Sequence, residues 1–296
     1  MSGHLSLSHF FLALAVVAVW GTNFVVIHAA LQQFGPLTLA TLRFTFAALP
    51  WLAFIRPPAV PWRELVAYGV LIGAGQFGLL YVAMQHDISP GLASLVIQMQ
   101  VFFTVVFAAV RLRERVSALQ IAAMAIAAGG LGLIAMNAEG AATPRGLALT
   151  MLAALSWGAS NLLVKKAGPV NALAYIVWSS LFAIPPLFAL ALALEGWPSM
   201  VRSVAQANAT GWAAVFWQSL GNSILGYGIW SWLLARNPAA TVTPTAMLVP
   251  IFGLGASAIF LREPLPAWKV LAAALVIAGL AFNILWAAIA QARQRA

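Results

Sequence analysis

The chain has no cysteine among its 296 residues, which excludes a disulfide framework. With only four scattered histidines (His4, His9, His28 and His86), it offers no grouping of side chains for a metal. Charge is nearly as scarce. Only 7% of residues are charged, where a soluble domain carries about a quarter, so the chain cannot keep a soluble surface wet. All six acidic residues fall between the apolar runs or at their ends. A GxxxxGK[ST] phosphate loop is missing, which removes the usual ATP machinery. HExxH and paired carboxylates are missing too, which argues against a membrane-embedded enzyme. No connection is long enough for a soluble domain; the longest is about 195–210, EGWPSMVRSVAQANAT.

What fills the chain is hydrocarbon. Hydrophobic residues make up 63%, in continuous runs of roughly the 20 residues that span a bilayer. The runs do not alternate, which argues against a transmembrane β-barrel, and the expected fold is an all-α polytopic membrane protein. Ten spans are predicted at about 8–31, 36–55, 64–85, 90–110, 117–137, 146–165, 171–194, 211–234, 241–261 and 267–289. The N-terminal stretch MSGHLSLSHFFLALAVV lacks Lys and Arg and reads as the first span rather than a cleaved signal. Ten spans leave both termini on one side. The loops of that side hold ten of the fifteen basic residues: Arg56, Arg63, Arg111, Arg113, Arg115, Lys165, Lys166, Arg236, Arg293 and Arg295. The other side holds Arg145, Arg202, Arg262 and Lys269, and Arg43 lies within the second span. Positive residues stay cytoplasmic, so both termini are expected there. The net charge of +9 is then a topology signal rather than a nucleic-acid footprint.

The chain also repeats itself. At an offset of 149, residues 109–131 match 258–280 at nine positions, including the consecutive Leu112-Arg113-Glu114 and Leu261-Arg262-Glu263. A second echo pairs Trp20-Gly21 with Trp157-Gly158. Two five-span units are predicted, 1–142 and 143–296. Five is odd, so the second enters the membrane from the opposite side. Inverted repeats of this kind mark secondary transporters, with a site near the midplane between the halves.

The stretches WGTNFVVIHAAL (20–31), LATLRF (39–44), SPGLASLVIQMQVFFTVVFA (89–108), LRER and LREP (112–115, 261–264) and LVPIFGLGASAIFL (248–261) resemble the drug/metabolite transporter superfamily, specifically its EamA-like exporters. The resemblance covers nearly the whole chain. It implies ten helices in two inverted five-helix repeats around a central cavity. It also implies export of amino acids and related metabolites, as in the cysteine/O-acetylserine exporters and the YddG-type exporters, from the bacterial inner membrane.

Polar groups in hydrocarbon are costly unless paired or wet, so they make the first list of site candidates. In the first span Trp20 and Asn23 share a face, and Asn23 offers both donors and an acceptor to a substrate's ammonium or carboxylate. Trp157 and Asn161 occupy the equivalent place in the sixth span. Ser223, Tyr227 and Trp230 form one stripe of the eighth span, and Tyr81 is the repeat partner of Trp230. Gln76 follows a glycine in the third span and faces the same cavity. Such an amphipathic aromatic lining suits a neutral amino acid. Pro244 and Pro250 are expected to kink the ninth span and serve gating. Arg43 needs a partner, and a structural ion pair with Asp87 is expected. Glu114 and Glu263 are expected to make surface pairs that latch closed gates.

Gln98 and Gln100 stand where the fourth span is deepest. Two residues apart on an α-helix they point about 200° apart, so one is expected to meet substrate and the other to tie the helix to a neighbour, with Gln98 the substrate contact. No cofactor and no nucleic acid are expected, and membrane lipid and a small molecule are the partners of a monomer. With no carboxylate at a midplane, a downhill exporter or exchanger is favoured. The alternatives are a proton-coupled drug or metabolite exporter and a carrier of other small metabolites such as nucleotide sugars. A channel would show a ring of filter carbonyls or charges.

Overall fold

The protein is described by a computed structural model covering residues 6–113, 116, 118–168, 170–237 and 242–295. Among the described residues it is all helical, apart from one isolated backbone bridge between Ile88 and Ala142. Among the described residues six helices are long and apolar enough to cross a membrane: α1 (Leu7–Leu31), α3 (Trp62–His86), α4 (Pro90–Arg111), α5 (Ala118–Asn137), α6 (Pro144–Ala167) and α7 (Ala172–Leu194). Helix α2 (Pro36–Ala48) is shorter than its apolar run. Pro50 cannot donate to the carbonyl four residues back, and residues 49–55 continue as turns instead. The remaining helices are α8 (Trp197–Gln206), α9 (Ala209–Phe216, Trp217–Gly226 and Tyr227–Arg236 end to end), α10 (Thr243–Leu248 and Val249–Phe260) and α11 (Ala267–Arg295).

Helix starts follow local chemistry. Ser6, Thr143, Asn171 and Asn208 each accept a backbone N–H of the first turn that follows. Helix α8 lies inside the longest connection. Its start is marked by Gly196, held at φ +79°, followed by Pro198 in the first turn. Met200 and Val204, four apart, turn against the bundle, while Trp197 and Val201 stay exposed.

Two helices are capped from far away. The residues preceding α2 and α4 (Gly35 and Ser89) provide no side-chain cap of their own. Glu195 fills the first place, accepting from Leu37 N at 2.6 Å, Thr38 N at 3.1 Å and the Thr38 hydroxyl. Glu263 fills the second, accepting from Gly91 N at 3.0 Å and from the Ser89 hydroxyl. A carboxylate is favoured there by the free N–H groups and the helix dipole. Glu263 also meets Lys269 Nζ at 2.8 Å, with the side chains only 7% and 1% exposed. It is a buried interhelical clamp, not the surface pair expected from its loop position. Glu114 lies outside the described residues.

The bundle pairs α5 with α11, α2 with α7, α1 with α10 and α4 with α6. Glycine sets the α1–α10 and α4–α6 contacts among others. A Cβ on Gly21 would stand 2.5 Å from Phe252 Cβ, and one on Gly158 would stand 2.7 Å from Phe103 Cβ. The Trp-Gly echo thus marks two places where helix axes approach too closely for any side chain.

Candidate functional site

Three helices depart from α-helical winding in mid-course. Leu71–Gly78 of α3 and Trp217–Gly226 of α9 are π-helical, and Ile97–Met99 of α4 is a 3₁₀ turn. Such departures concentrate at functional sites because they re-aim side chains. Here they surround one cavity of about 160 Å³. A cavity of about 150 Å³ admits a molecule the size of benzene, so this one has room for a small amino acid.

The cavity is lined by five neutral amides and an aromatic and aliphatic wall. The amides are Asn23, Gln76, Gln98, Gln100 and Asn222. The wall includes Trp20, Phe24, Ile27, Phe77, Leu80, Trp157 and Tyr227. Gln76 and Asn222 each come from a π-helical stretch. Asn23 is buried, and its Oδ1 has no hydrogen-bond donor. A buried acceptor left unmatched costs about 1–3 kcal/mol, which a donor entering the cavity would recover. Trp20 is held in place by its indole N–H, which donates to Asn222 O at 3.2 Å, and by Tyr227 and Trp230 at 5.3 and 5.2 Å between ring centres.

Behind the cavity sits a second polar cluster. Arg43 is 1% exposed. Its guanidinium donates to the Tyr81 hydroxyl at 2.7 Å and to Ser223 Oγ at 3.2 Å, and it lies 3.7 Å from the centre of the Phe77 ring. The Tyr81 hydroxyl in turn donates to Gln218 Oε1. Towards the α1 C-terminus, His28, Met84, Asp87, Arg262 and Glu263 border an open vestibule of about 460 Å³.

The model of the EamA-like transporter family matches residues 7–136 and again 144–285. The chain belongs to the EamA-like transporter family. It is 40% identical over 280 residues to a probable amino-acid metabolite efflux pump of Salmonella typhimurium, covering 93% of this chain and 94% of that one. It is 37% identical to the protein of the same description in Escherichia coli K12, covering 92% and 93%. A probable terminal-alkyne amino-acid exporter of Streptantibioticus cattleyicolor is 28% identical over 89% of both. One solved crystal structure shares the fold at a TM-score of 0.60 with 18% identity, over 94% of this chain and 97% of that one.

In this EamA-like transporter the structure brings Trp20, Asn23, Gln76, Gln98, Gln100, Trp157 and Tyr227 to one cavity. Four other expected lining residues stand elsewhere. Trp230 backs Trp20 and packs beside Ala13 and Leu233. Asn161 donates to Gln100 Oε1 at 2.7 Å and to Thr104 Oγ1 at 3.1 Å. Tyr81 and Ser223 belong to the Arg43 cluster. The stripe expected of Ser223, Tyr227 and Trp230 assumed α-helical winding, and the π-helical stretch ending at Gly226 rotates Ser223 off it.

Arg43 and Asp87 do not pair. Asp87 meets Arg145 at 3.6 Å and the Thr143 hydroxyl at 2.9 Å. The expectation that Gln98 and Gln100 cannot face one cavity is also corrected. A 3₁₀ turn has three residues per turn, which brings positions two apart about 40° closer than an α-helix does. Pro244 and Pro250 open the two segments of α10, where a missing N–H is free of cost. The winding of α10 changes from 3₁₀ to α between Leu248 and Val249, one residue before Pro250. Asn222 and Phe77 escaped the sequence reading, although Asn222 stands in the GNSILGYG stretch that supplied Ser223 and Tyr227.

Proposed function

We propose that the protein is an inner-membrane secondary transporter that exports neutral amino acids and related metabolites through the Trp20–Asn23 cavity. The observation that carries this is the cavity's make-up: amides converging from α1, α3, α4 and α9 on an apolar, aromatic-walled space. The relatives described as amino-acid metabolite efflux pumps support the substrate class. Amide groups match both ends of a zwitterion, since each offers donors and an acceptor, and the apolar wall suits the side chain. The lining carries no carboxylate and no histidine among the described residues, which supports downhill export or exchange over proton coupling.

On this reading ten helices form two inverted five-helix units, 1–142 and 143–296, with both termini cytoplasmic. The helix pairing supports the pseudo-symmetry: α1 packs on α10 and α6 on α4, through Gly21 on Phe252 and Gly158 on Phe103. The last pair of contacts is related by the same 149-residue offset as the repeat, since Phe103 and Phe252 are 149 apart. Gly130 against Ala272 and Gly279 against Ala123 repeat it once more. Alternating access then rocks the two units about the cavity. Glu195 and Glu263, both from the second unit, cap α2 and α4 of the first on the outer face, which supports a state closed on that side.

The test is an overproducing strain. The reading predicts excess neutral amino acids in the medium and resistance to their toxic analogues, both lost with Asn23→Leu. Unchanged medium and unchanged resistance would overturn it.

A further inference from the structure

Arg43 presents a charge that its surroundings do not balance. Taking a cation out of water costs several kcal/mol unless it is paired, and Arg43 lies seven residues into α2, about 10 Å along the helix. Among the described residues it meets no carboxylate. Its polar partners, Tyr81 and Ser223, are neutral. Two buried donors of the cluster, Arg43 Nε and Gln218 Nε2, have no acceptor at all. What the cluster lacks is therefore an acceptor, and preferably an anionic one.

The cluster also has an opening. Arg43 borders a small chamber of about 10 Å³, room for roughly one water. Phe77 and Tyr227 line both this chamber and the central cavity. Those two rings thus form a wall that both spaces share. Among the described residues Arg43 is the one charged residue lining either space.

We infer that Arg43 is the carboxylate anchor of an inner subsite, reached from the central cavity when Phe77 and Tyr227 part. This rests on the carrier reading above and deepens it: the transported class carries a free carboxylate, and the amides of the outer cavity meet its ammonium and side chain. A planar guanidinium suits this task because it can engage a carboxylate with two parallel bonds, using the Nε–H that is now unmatched.

The test compares L-leucine, L-methionine and L-phenylalanine with their amides in counterflow into proteoliposomes. Wild type is expected to prefer the acids. Arg43→Gln is expected to weaken acid half-saturation roughly 10- to 150-fold, the range for a hydrogen bond to a charged group, and to leave the amides unchanged. Arg43→Lys keeps the charge, guards against a folding failure of the neutral variant, and is expected to retain part of the acid preference. Phe77→Ala, which opens the wall, is expected to strengthen acid over amide. An acid preference that survives Arg43→Gln, or an equal loss of acids and amides at unchanged thermal stability, overturns the anchor while leaving the carrier standing. Wild type that moves neither acids nor amides overturns the carrier reading, and the anchor with it.

Discussion

The Ser89–Glu263 contact offers a direct handle on gating. Ser89 immediately precedes α4; on the proposed two-unit reading it belongs to the first unit and Glu263 to the second, so their bond breaks when the outer face opens. The Glu263–Lys269 pair lies within the proposed second unit and persists. Ser89→Ala removes the hydroxyl donor but leaves Gly91 N at 3.0 Å and Lys269 Nζ at 2.8 Å on the carboxylate. The buried charge thus keeps partners, and the change falls on the closed state alone. A hydrogen bond to a charged group contributes about 1.5–3 kcal/mol, so the closed-to-open equilibrium should shift towards open by roughly 10- to 150-fold. The assay exploits the absence of cysteine. Ile27 lines the cavity and is 1% exposed, so Ile27→Cys gives a single thiol with no background. Its labelling by a membrane-impermeant maleimide from outside should accelerate at least tenfold when Ser89→Ala is added. A rate unchanged within twofold would refute the latch.

Three further outcomes follow from the cavity and its packing. Asn23→Leu removes an amide that faces the cavity and should cut transport tenfold or more while the protein stays folded in detergent; transport retained at the wild-type level would contradict the geometry. Gln98→Leu should reduce transport at unchanged Tm. Gln100→Leu should lower Tm by breaking the bond to Asn161, and equal Tm values for the two would remove the distinction. Gly158→Ala places a methyl 2.7 Å from Phe103 Cβ and should destabilise by about 1–3 kcal/mol, whereas Gly129→Ala meets nothing within 4 Å and should be neutral or stabilising in thermal unfolding.

How much of this was legible beforehand depends on which interactions are local. Helix positions follow from long apolar runs and from punctuation such as Pro36, Pro90 and Pro144, and these survive into the structure. The cavity's amides were legible because a buried amide in hydrocarbon demands a reason, and Asn23, Gln76, Gln98 and Gln100 all reach the cavity. What misled was winding. Ser223 and Trp230 were placed by α-helical spacing and Tyr81 by its repeat relation to Trp230, and the π-helical stretches of α3 and α9 shift the face each residue presents. No residue pattern announces such a stretch; it is set by the packing of α3 and α9 against α6, α7 and α1. Partner choice was illegible for the same reason. Arg43 and Asp87 looked matched because charges are few, yet their actual partners, Tyr81 and Ser223 for one and Arg145 for the other, come from helices whose neighbours only the folded bundle decides. Glu195 and Glu263 likewise read as loop charges and turn out to cap helices 158 and 172 residues away.

The central claim is that the amide-lined cavity is a carrier's binding site. Its most direct test is trans-stimulated counterflow of a labelled neutral amino acid into sealed proteoliposomes, wild type against Asn23→Leu, with and without an imposed pH gradient. The account predicts saturable uptake driven by unlabelled amino acid inside, insensitive to the gradient and reduced at least tenfold by the substitution. Uptake that does not saturate, or that Asn23→Leu leaves intact, would contradict it.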